Sequence, residues 1–100
     1  MLYLATITFT PENKAAFFKR ERELMKKGLS EPPKGIKSIN TWSSLKGRKL
    51  TALLEVDQPG ALMELTDTWD DVADIDYDPV IPTADLPKLE FYKRKYSAAK

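Results

Sequence analysis

Alternation of apolar and polar side chains predicts four β-strands in this chain. The pattern runs through LYLATITFT near the N-terminus, through residues 36–44 and 50–56, and through DIDYDPVI at residues 74–81. Successive side chains of a strand point to opposite faces, so each stretch would bury one face and expose the other. Pro79 has no N–H to donate and therefore predicts that the last strand lies at a sheet edge or bends there.

Two helices are predicted between these strands. In the segment TPEN, Thr10 can cap the first helix, and Pro11 suits a first helical position, where an N–H would have no partner. Gly28 is the predicted stop. In DQPG, Asp57 or Gln58 is the predicted cap of the second helix. Apolar residues recur at helical spacing in both segments: Phe17, Phe18, Leu24 and Met25 in the first, and Leu62, Leu65, Trp69 and Val72 in the second.

The C-terminal segment is predicted to form a helical tail that follows the domain. We assign residues 1–82 to one domain and residues 83–100 to a helical tail, whose residues 88–100 form a short basic helix. The tail carries an apolar stripe of Leu89, Tyr92 and Tyr96, which predicts docking onto the domain or onto a partner subunit.

The order of the predicted elements is βαββαβ, followed by the tail helix. With right-handed crossovers, this order predicts an α+β, ferredoxin-like fold with a four-stranded antiparallel sheet and both helices on one face. The opposite face of the sheet would remain open. An open apolar face has to be covered, and pairing two such sheets in a homodimeric α+β barrel is a common solution.

Composition narrows the chemistry. One hundred residues with 42% hydrophobic side chains suit a single domain. Cysteine is absent, which excludes thiol chemistry, and histidine is absent, which removes the commonest metal ligand, general base and haem ligand. We therefore expect neither a metal nor another cofactor. No apolar run reaches the ~20 residues that cross a bilayer, and the N-terminus has no basic start, so a cytoplasmic location is the default expectation.

Charge is divided unevenly along the chain. The net charge is +1, but residues 1–50 hold eleven Lys and Arg against four Asp and Glu, whereas residues 51–100 hold five against eleven. Such a division can mark a surface that binds polyanions. In KRERELMKK, however, Glu21 and Glu23 interrupt the basic residues, as is typical of a solvated helix face. A nucleic-acid partner is therefore disfavoured.

Several segments resemble a known family. TPEN, PPKGIKSINTWSS, LLEVDQPGALMELTDTW and DIDYDPVI together are similar to an uncharacterised family of short, stand-alone relatives of the dimeric α+β barrel superfamily. That superfamily includes cofactor-free monooxygenases that act on aromatic polyketides, muconolactone-isomerase-like enzymes and haem-handling proteins. The resemblance implies two sheets packed face to face in a homodimer, with pockets between sheet and helices or between the sheets.

The chain departs from this family at one position. The family segment usually has histidine after the tryptophan of the second strand, whereas Ser43 follows Trp42 here. A haem ligand or an imidazole base can therefore not be transferred to this chain.

Strand alternation selects the candidate binding residues. The less apolar side chains of the strands should share the open face, and those that could bind a ligand there are Thr6, Thr8, Asn40, Trp42, Glu55 and Asp76. Trp42 is either a pocket wall or, as we favour, an anchor of the dimer interface, where tryptophan is enriched. Glu55 and Asp76 form either an acid–base pair or part of a solvated strand face. No catalytic residue is identified.

Two functions remain open at this point. The first is a non-catalytic, accessory or ligand-binding homodimer that holds a small apolar or aromatic molecule. The second is a cofactor-free monooxygenase- or isomerase-like enzyme acting on a small aromatic or cyclic substrate. The lack of histidine and cysteine favours the first.

Overall fold

The computed structural model describes residues 1–29 and 31–96. The four strands are β1 (Leu2–Thr8), β2 (Ile36–Ser43), β3 (Lys49–Val56) and β4 (Asp74–Val80). The three α-helices in these residues are α1 (Pro11–Lys26), α2 (Ala61–Trp69) and α3 (Glu90–Tyr96). A 3₁₀ helix over Thr83–Lys88 precedes α3.

The strands form one antiparallel sheet in the order β2-β3-β1-β4. This order, with α1 between β1 and β2 and with α2 between β3 and β4, is the split βαβ arrangement. The α+β, ferredoxin-like prediction is therefore confirmed. The strand β4 is an edge strand and continues through Pro79, as the missing N–H of proline allows.

The core lies between the sheet and the first two helices. Ala5 of β1 is opposite Ala52 of β3 on one side and Tyr77 of β4 on the other, so side chains of all three strands face the helices together. Two clusters of buried residues form there. The first contains Ala5, Ile36, Ala52, Leu54, Val56 and Ala61, and the second contains Phe9, Phe17 and Val72.

The N-terminus of α1 confirms the sequence prediction. The hydroxyl of Thr10 accepts a hydrogen bond from the backbone N–H of Asn13 at 3.3 Å, and Pro11 occupies the first helical position. The helix ends at Lys26, and Gly28 then adopts a φ of 70°, which favours glycine. The β2–β3 turn likewise has a φ of 72° at Gly47.

The predicted start of α2 is wrong. The helix begins at Ala61 with Gly60 as its N-cap, and no side chain caps it. Asp57 is still part of the strand end, because its N–H donates to the carbonyl oxygen of Gly35 at 2.8 Å. The residues between Asp57 and Ala61 form a turn instead of the first helical turn.

A β-bulge in β2 corrects the predicted alternation. Ser38 is opposite Leu54, but the next paired residue of β2, Asn40, is opposite Leu53. Ile39 is therefore an extra residue, and the face to which each side chain points changes across it. Ser38 lies on the helix-backed face, not with Trp42, and Ile39 is 50% exposed and does not join the core.

The C-terminal segment projects from the domain. We call residues 83–96 the arm. The radius of gyration is 17.0 Å, whereas about 13 Å is expected for a compact chain of this length. Neither buried cluster of the described residues includes an arm residue, so the predicted stripe of Leu89, Tyr92 and Tyr96 does not dock on its own core. The predicted helical residues 97–100 lie outside the described part of the chain.

One ion pair joins the two sheet-packed helices. The guanidinium of Arg20 donates to both carboxylate oxygens of Asp71 at 2.6 Å and to the carbonyl oxygen of Thr68 at 2.8 Å. The same guanidinium lies 5.8 Å from the ring centre of Trp69. The hydrogen bonds from Arg20 lower the pKa of the Asp71 carboxyl group. Bidentate geometry of this kind fixes the orientation of α1 relative to the end of α2.

The Asp71→Asn variant should melt up to a few degrees below the wild type at neutral pH, because it loses this paired carboxylate. The pKa of Asp71 is lower in the folded state, so its contribution is present at neutral pH and disappears as the pH falls through that lowered value. Thermal melts recorded from neutral to strongly acidic pH would show the difference shrinking. Asp70→Asn is the matched control, and an equal loss in both variants would contradict the assignment.

Candidate functional site

A cleft of about 520 Å³ lies between the helix-backed face of the sheet and the helices. This volume falls in the range of small-molecule sites. Its floor is made of small and aliphatic side chains from three strands: Ala5, Ile7, Ala52, Leu54 and Ile75. Leu24 of α1 and Leu65 of α2 form the walls, and Leu29, Pro32 and Pro33 line it from the loop before β2.

Two local features produce this space. Ala5 and Ala52 are direct cross-strand partners, so the centre of the floor carries only methyl groups. The strand β2 is poorly covered, since Ile36 is its only buried residue. The helices therefore lie over the other strands and leave the cleft open near Ser38.

A second cavity of about 300 Å³ extends the cleft along α1. The two cavities share the lining residues Ile7, Leu24, Ala52 and Trp69. Trp69 lines both cavities, and Phe17 lines the smaller one. The rings of Phe17 and Trp69 are 4.6 Å apart at a tilt of 38°, which is a favourable geometry for aromatic packing.

Polar side chains occur at the margin of the cleft. Glu31, Glu64 and Thr68 line the larger cavity and are all exposed. Thr41 and Ser43 of β2 line the smaller one. Hydroxyl and carboxylate groups in these positions can orient the polar edge of a molecule whose apolar body lies on the floor.

Two kinds of feature are not found among the described residues. Within residues 1–29 and 31–96, no group of three acidic, histidine or cysteine side chains could hold a metal ion. In the same ranges, no helix is long and apolar enough to cross a membrane.

The phenol of Tyr77 joins α2 to β4. The hydroxyl of Thr66 donates to the carbonyl oxygen of Leu62 at 2.9 Å. The hydroxyl of Tyr77 lies within hydrogen-bonding distance of the Thr66 hydroxyl, at 2.9 Å, and of the same carbonyl oxygen, at 3.3 Å. Burial raises the pKa of Tyr77, which keeps the phenol neutral. This side chain therefore fixes the helix on the sheet.

The open face carries the residues that the sequence selected. Trp42 is opposite Thr51, and Glu55 is opposite Leu2, while Thr51 and Glu55 have the same parity along β3. The register therefore puts the sequence-selected residues on one face of the sheet, and they are Thr6, Thr8, Asn40, Trp42, Glu55 and Asp76.

These residues do not surround a common space within one chain. Trp42 is 51% exposed on the edge strand β2, and Asp76 lies on the opposite edge strand β4. Glu55 binds the N-terminal ammonium group at 2.9 Å, and the side-chain oxygen of Asn40 accepts the N–H of Thr41 at 2.8 Å. A site on this face would need a second surface to close it, and it remains a prediction.

The cleft residues were not selected from the sequence. The available signal was a pair of alanines, Ala5 and Ala52, on core-facing positions of two apolar strands. Their direct pairing depends on the register between β1 and β3, which is a long-range property. The bulge at Ile39 also turned Ser38 toward the cleft, against simple alternation.

A Deinococcus radiodurans protein, provisionally described as an antibiotic biosynthesis monooxygenase, superposes with a TM-score of 0.44 at 11% sequence identity, covering 82% of this chain and 93% of the other. Comparison with curated proteins finds no significant match. Residues 1–91 match the model of a family described as a domain of unknown function, DUF3303, and the chain belongs to that family.

Proposed function

We propose that this protein is a homodimer that binds a small apolar or aromatic molecule in the cleft between sheet and helices, and that it does not transform this molecule. The observation that carries the proposal is the cleft itself. Its volume of about 520 Å³, its aliphatic floor and the indole of Trp69 at its side suit a compact ligand.

The lining suggests the chemistry of the ligand. The methyl groups of Ala5 and Ala52 leave room for a flat body on the floor, and Trp69 offers an aromatic surface at its side. The polar groups of Ser38 and Thr68 lie along the same cleft. A ligand with an apolar ring and one hydrogen-bonding edge would use both kinds of surface.

An enzyme acting on a small aromatic or cyclic substrate without a cofactor is the second candidate. The carboxylates of Glu31 and Glu64 favour it, because both line the apolar cleft and carboxylates can transfer protons. Both side chains are exposed, however, whereas catalytic acids and bases are typically withdrawn from water. Binding without transformation therefore fits these residues better.

The open face supports the homodimer. Leu4 of β1 is opposite Leu53 of β3 on this face, and Leu2 and Trp42 lie on it as well. Clustered apolar side chains on a sheet face are typical of an interface. A second copy of the same sheet would cover both faces at once, which is how a two-fold interface operates.

Ala52→Leu should abolish binding in the cleft. Ala52 lines both cavities, so a larger side chain would fill the shared space. Titration with 1-anilinonaphthalene-8-sulfonate, followed by its fluorescence, should give saturable binding to the wild type. Binding should be at least ~10-fold weaker in the variant, which is a loss of about 1.4 kcal/mol.

Ala16→Leu is the matched control for this test, because Ala16 is an exposed position of α1. It should bind the dye as the wild type does. Equal affinity in the Ala52→Leu variant, or no saturable binding to the wild type, would contradict the cleft as the site. Recovery of a bound molecule in chemically altered form after incubation would instead support the enzyme.

Leu53→Lys should dissociate the dimer. It places a charge at the centre of the open face without disturbing the buried clusters, neither of which contains Leu53. Light scattering should give twice the 11.4 kDa chain mass for the wild type and the single chain mass for the variant. Met63→Lys, on the exposed surface of α2, should remain dimeric. A wild type that is monomeric at micromolar concentration would refute the homodimer.

Trp42→Ala separates the two roles predicted for this tryptophan. If Trp42 anchors the interface, its removal should raise the dimer dissociation constant by a factor that corresponds to about 2 kcal/mol or more. If Trp42 lines a pocket between two sheets, its removal should weaken dye binding and leave the dimer intact. We expect the first result, because Trp42 is half exposed on the same face as Leu2, Leu4 and Leu53, which a second copy would cover. Sedimentation equilibrium and the dye titration together distinguish the two.

A further inference from the structure

The arm exposes aromatic side chains that its own domain does not cover. Phe91 is 54% exposed and Tyr96 is 52% exposed. The ring of Tyr92 lies 4.7 Å from that of Tyr96 and 6.5 Å from that of Phe91, so the three form one aromatic surface. Aromatic surface of this kind, on a segment that projects from the core, is typical of a contact with another chain.

The arm also carries unpaired positive charge. Within the arm, Lys88 pairs with Asp85 at 2.9 Å, and Lys93 approaches Glu90 at 3.8 Å. Two further cations, Arg94 and Lys95, follow in the last turn of α3. Among the described residues, neither forms an ion pair, and the ammonium group of Lys95 lies 5.6 Å from the ring centre of Tyr96.

The strand β4 carries the complementary charge. Asp74, Asp76 and Asp78 are exposed and are opposite Thr8, Thr6 and Leu4, so all three lie on the open face at the edge of the sheet. They form no ion pair within residues 1–29 and 31–96. We call these three residues the acidic stripe.

Dimerisation through the open face brings the acidic stripe close to a second sheet. Carboxylates withdrawn from water without a counter-charge are strongly unfavourable. The second copy must therefore either leave the stripe in solvent or supply cations to it. Arg94 and Lys95, which form no ion pair among the described residues, lie beside the aromatic surface of the arm. This combination of charge and apolar surface complements a stripe that borders the apolar centre of the open face.

The direction of the chain favours the second copy over the arm's own strand. The arm follows β4 directly, leaving the sheet at the Val80 end, while the acidic stripe runs back from there toward Asp74. Pro82 continues the chain in an extended conformation, with φ of −57° and ψ of 136°. The arm therefore extends beyond its own domain, and the longest dimension of the molecule is 56 Å.

We propose that the arm of each protomer packs across the β4 edge of a second copy of this chain, with Arg94 and Lys95 against the partner's acidic stripe. The proposal rests on the homodimer proposed above and adds to it a reciprocal contact, in which each copy gives one arm and receives one. The aromatic surface of the arm covers apolar residues at the rim of the open face, and the two cations neutralise Asp76 and Asp78.

Reciprocal charge reversal tests this contact. One variant carries Arg94→Glu and Lys95→Glu, and the other carries Asp76→Lys and Asp78→Lys. Each alone opposes like charges and should raise the dimer dissociation constant at least ~10-fold at low ionic strength. Mixed one to one, the two variants should form a heterodimer with affinity near that of the wild type, because both contacts in it join opposite charges.

The mixing step separates exchange between chains from folding back within one chain. If the arm lay on its own strand, each variant would repel itself, and mixing would restore nothing; this result would overturn the proposal. Lys26→Glu with Lys27→Glu is the matched control, since it makes the same charge change at the far end of α1 and should leave self-association unchanged. The arm variant retains both buried clusters, so unchanged self-association of this variant would overturn the contact even where the strand variant folds poorly.

The outcomes also separate this proposal from the homodimer. If both charge variants dimerise as tightly as the wild type, the arm contact is overturned and the homodimer still holds. A monomeric wild type would overturn both. Analytical ultracentrifugation of the full chain, with one variant fluorescently labelled, measures all of these states.

Discussion

The register of the central strand β1 governs the whole structure. β1 pairs with β3 on one side and with β4 on the other, so one alternation sorts the side chains of three strands. Ala5, at its centre, is 1% exposed, and it is opposite Ala52 and Tyr77. If the register of β1 shifted by one residue, its leucines would point into the core and its helix-facing side chains would point to the open face. The register is therefore fixed, because only one face of the sheet is buried against the helices. The position of the cleft and the content of the open face both follow from this register.

The cleft exists because the same register pairs small side chains. The cross-strand alanines leave space above the centre of the floor, and Trp69, which packs against Phe17, borders this space without filling it. The ion pair between Arg20 and Asp71 holds the helices that carry these rings. Larger residues on the floor would bury more apolar surface, so the space is retained at some expense of packing. That trade-off is typical of a binding site.

The acidic residues in the second half of the chain differ in whether the fold gives them a partner. Among the acids after residue 50, Asp71 binds Arg20, and Glu55 binds the N-terminus. Among the described residues, neither the acids of β4 nor Arg94 and Lys95 of the arm form an ion pair. Part of the charge asymmetry that suggests a polyanion-binding half in the sequence is explained by ion pairs between the two halves of this chain.

The sequence by itself determined the order of the elements, the fold class and the faces of most strands, because these depend on local periodicity and on local signals such as Thr10 and Gly47. Only the tertiary structure decided the bulge at Ile39, the start of α2 and the cleft. The bulge and the start of α2 depend on hydrogen bonds between residues distant in sequence, as the bond from Asp57 to Gly35 illustrates. The cleft depends on how far the helices extend over β2, which no local pattern encodes. The direction of the arm belongs to the same group, since an apolar stripe on a helix indicates that the helix docks but not on which chain.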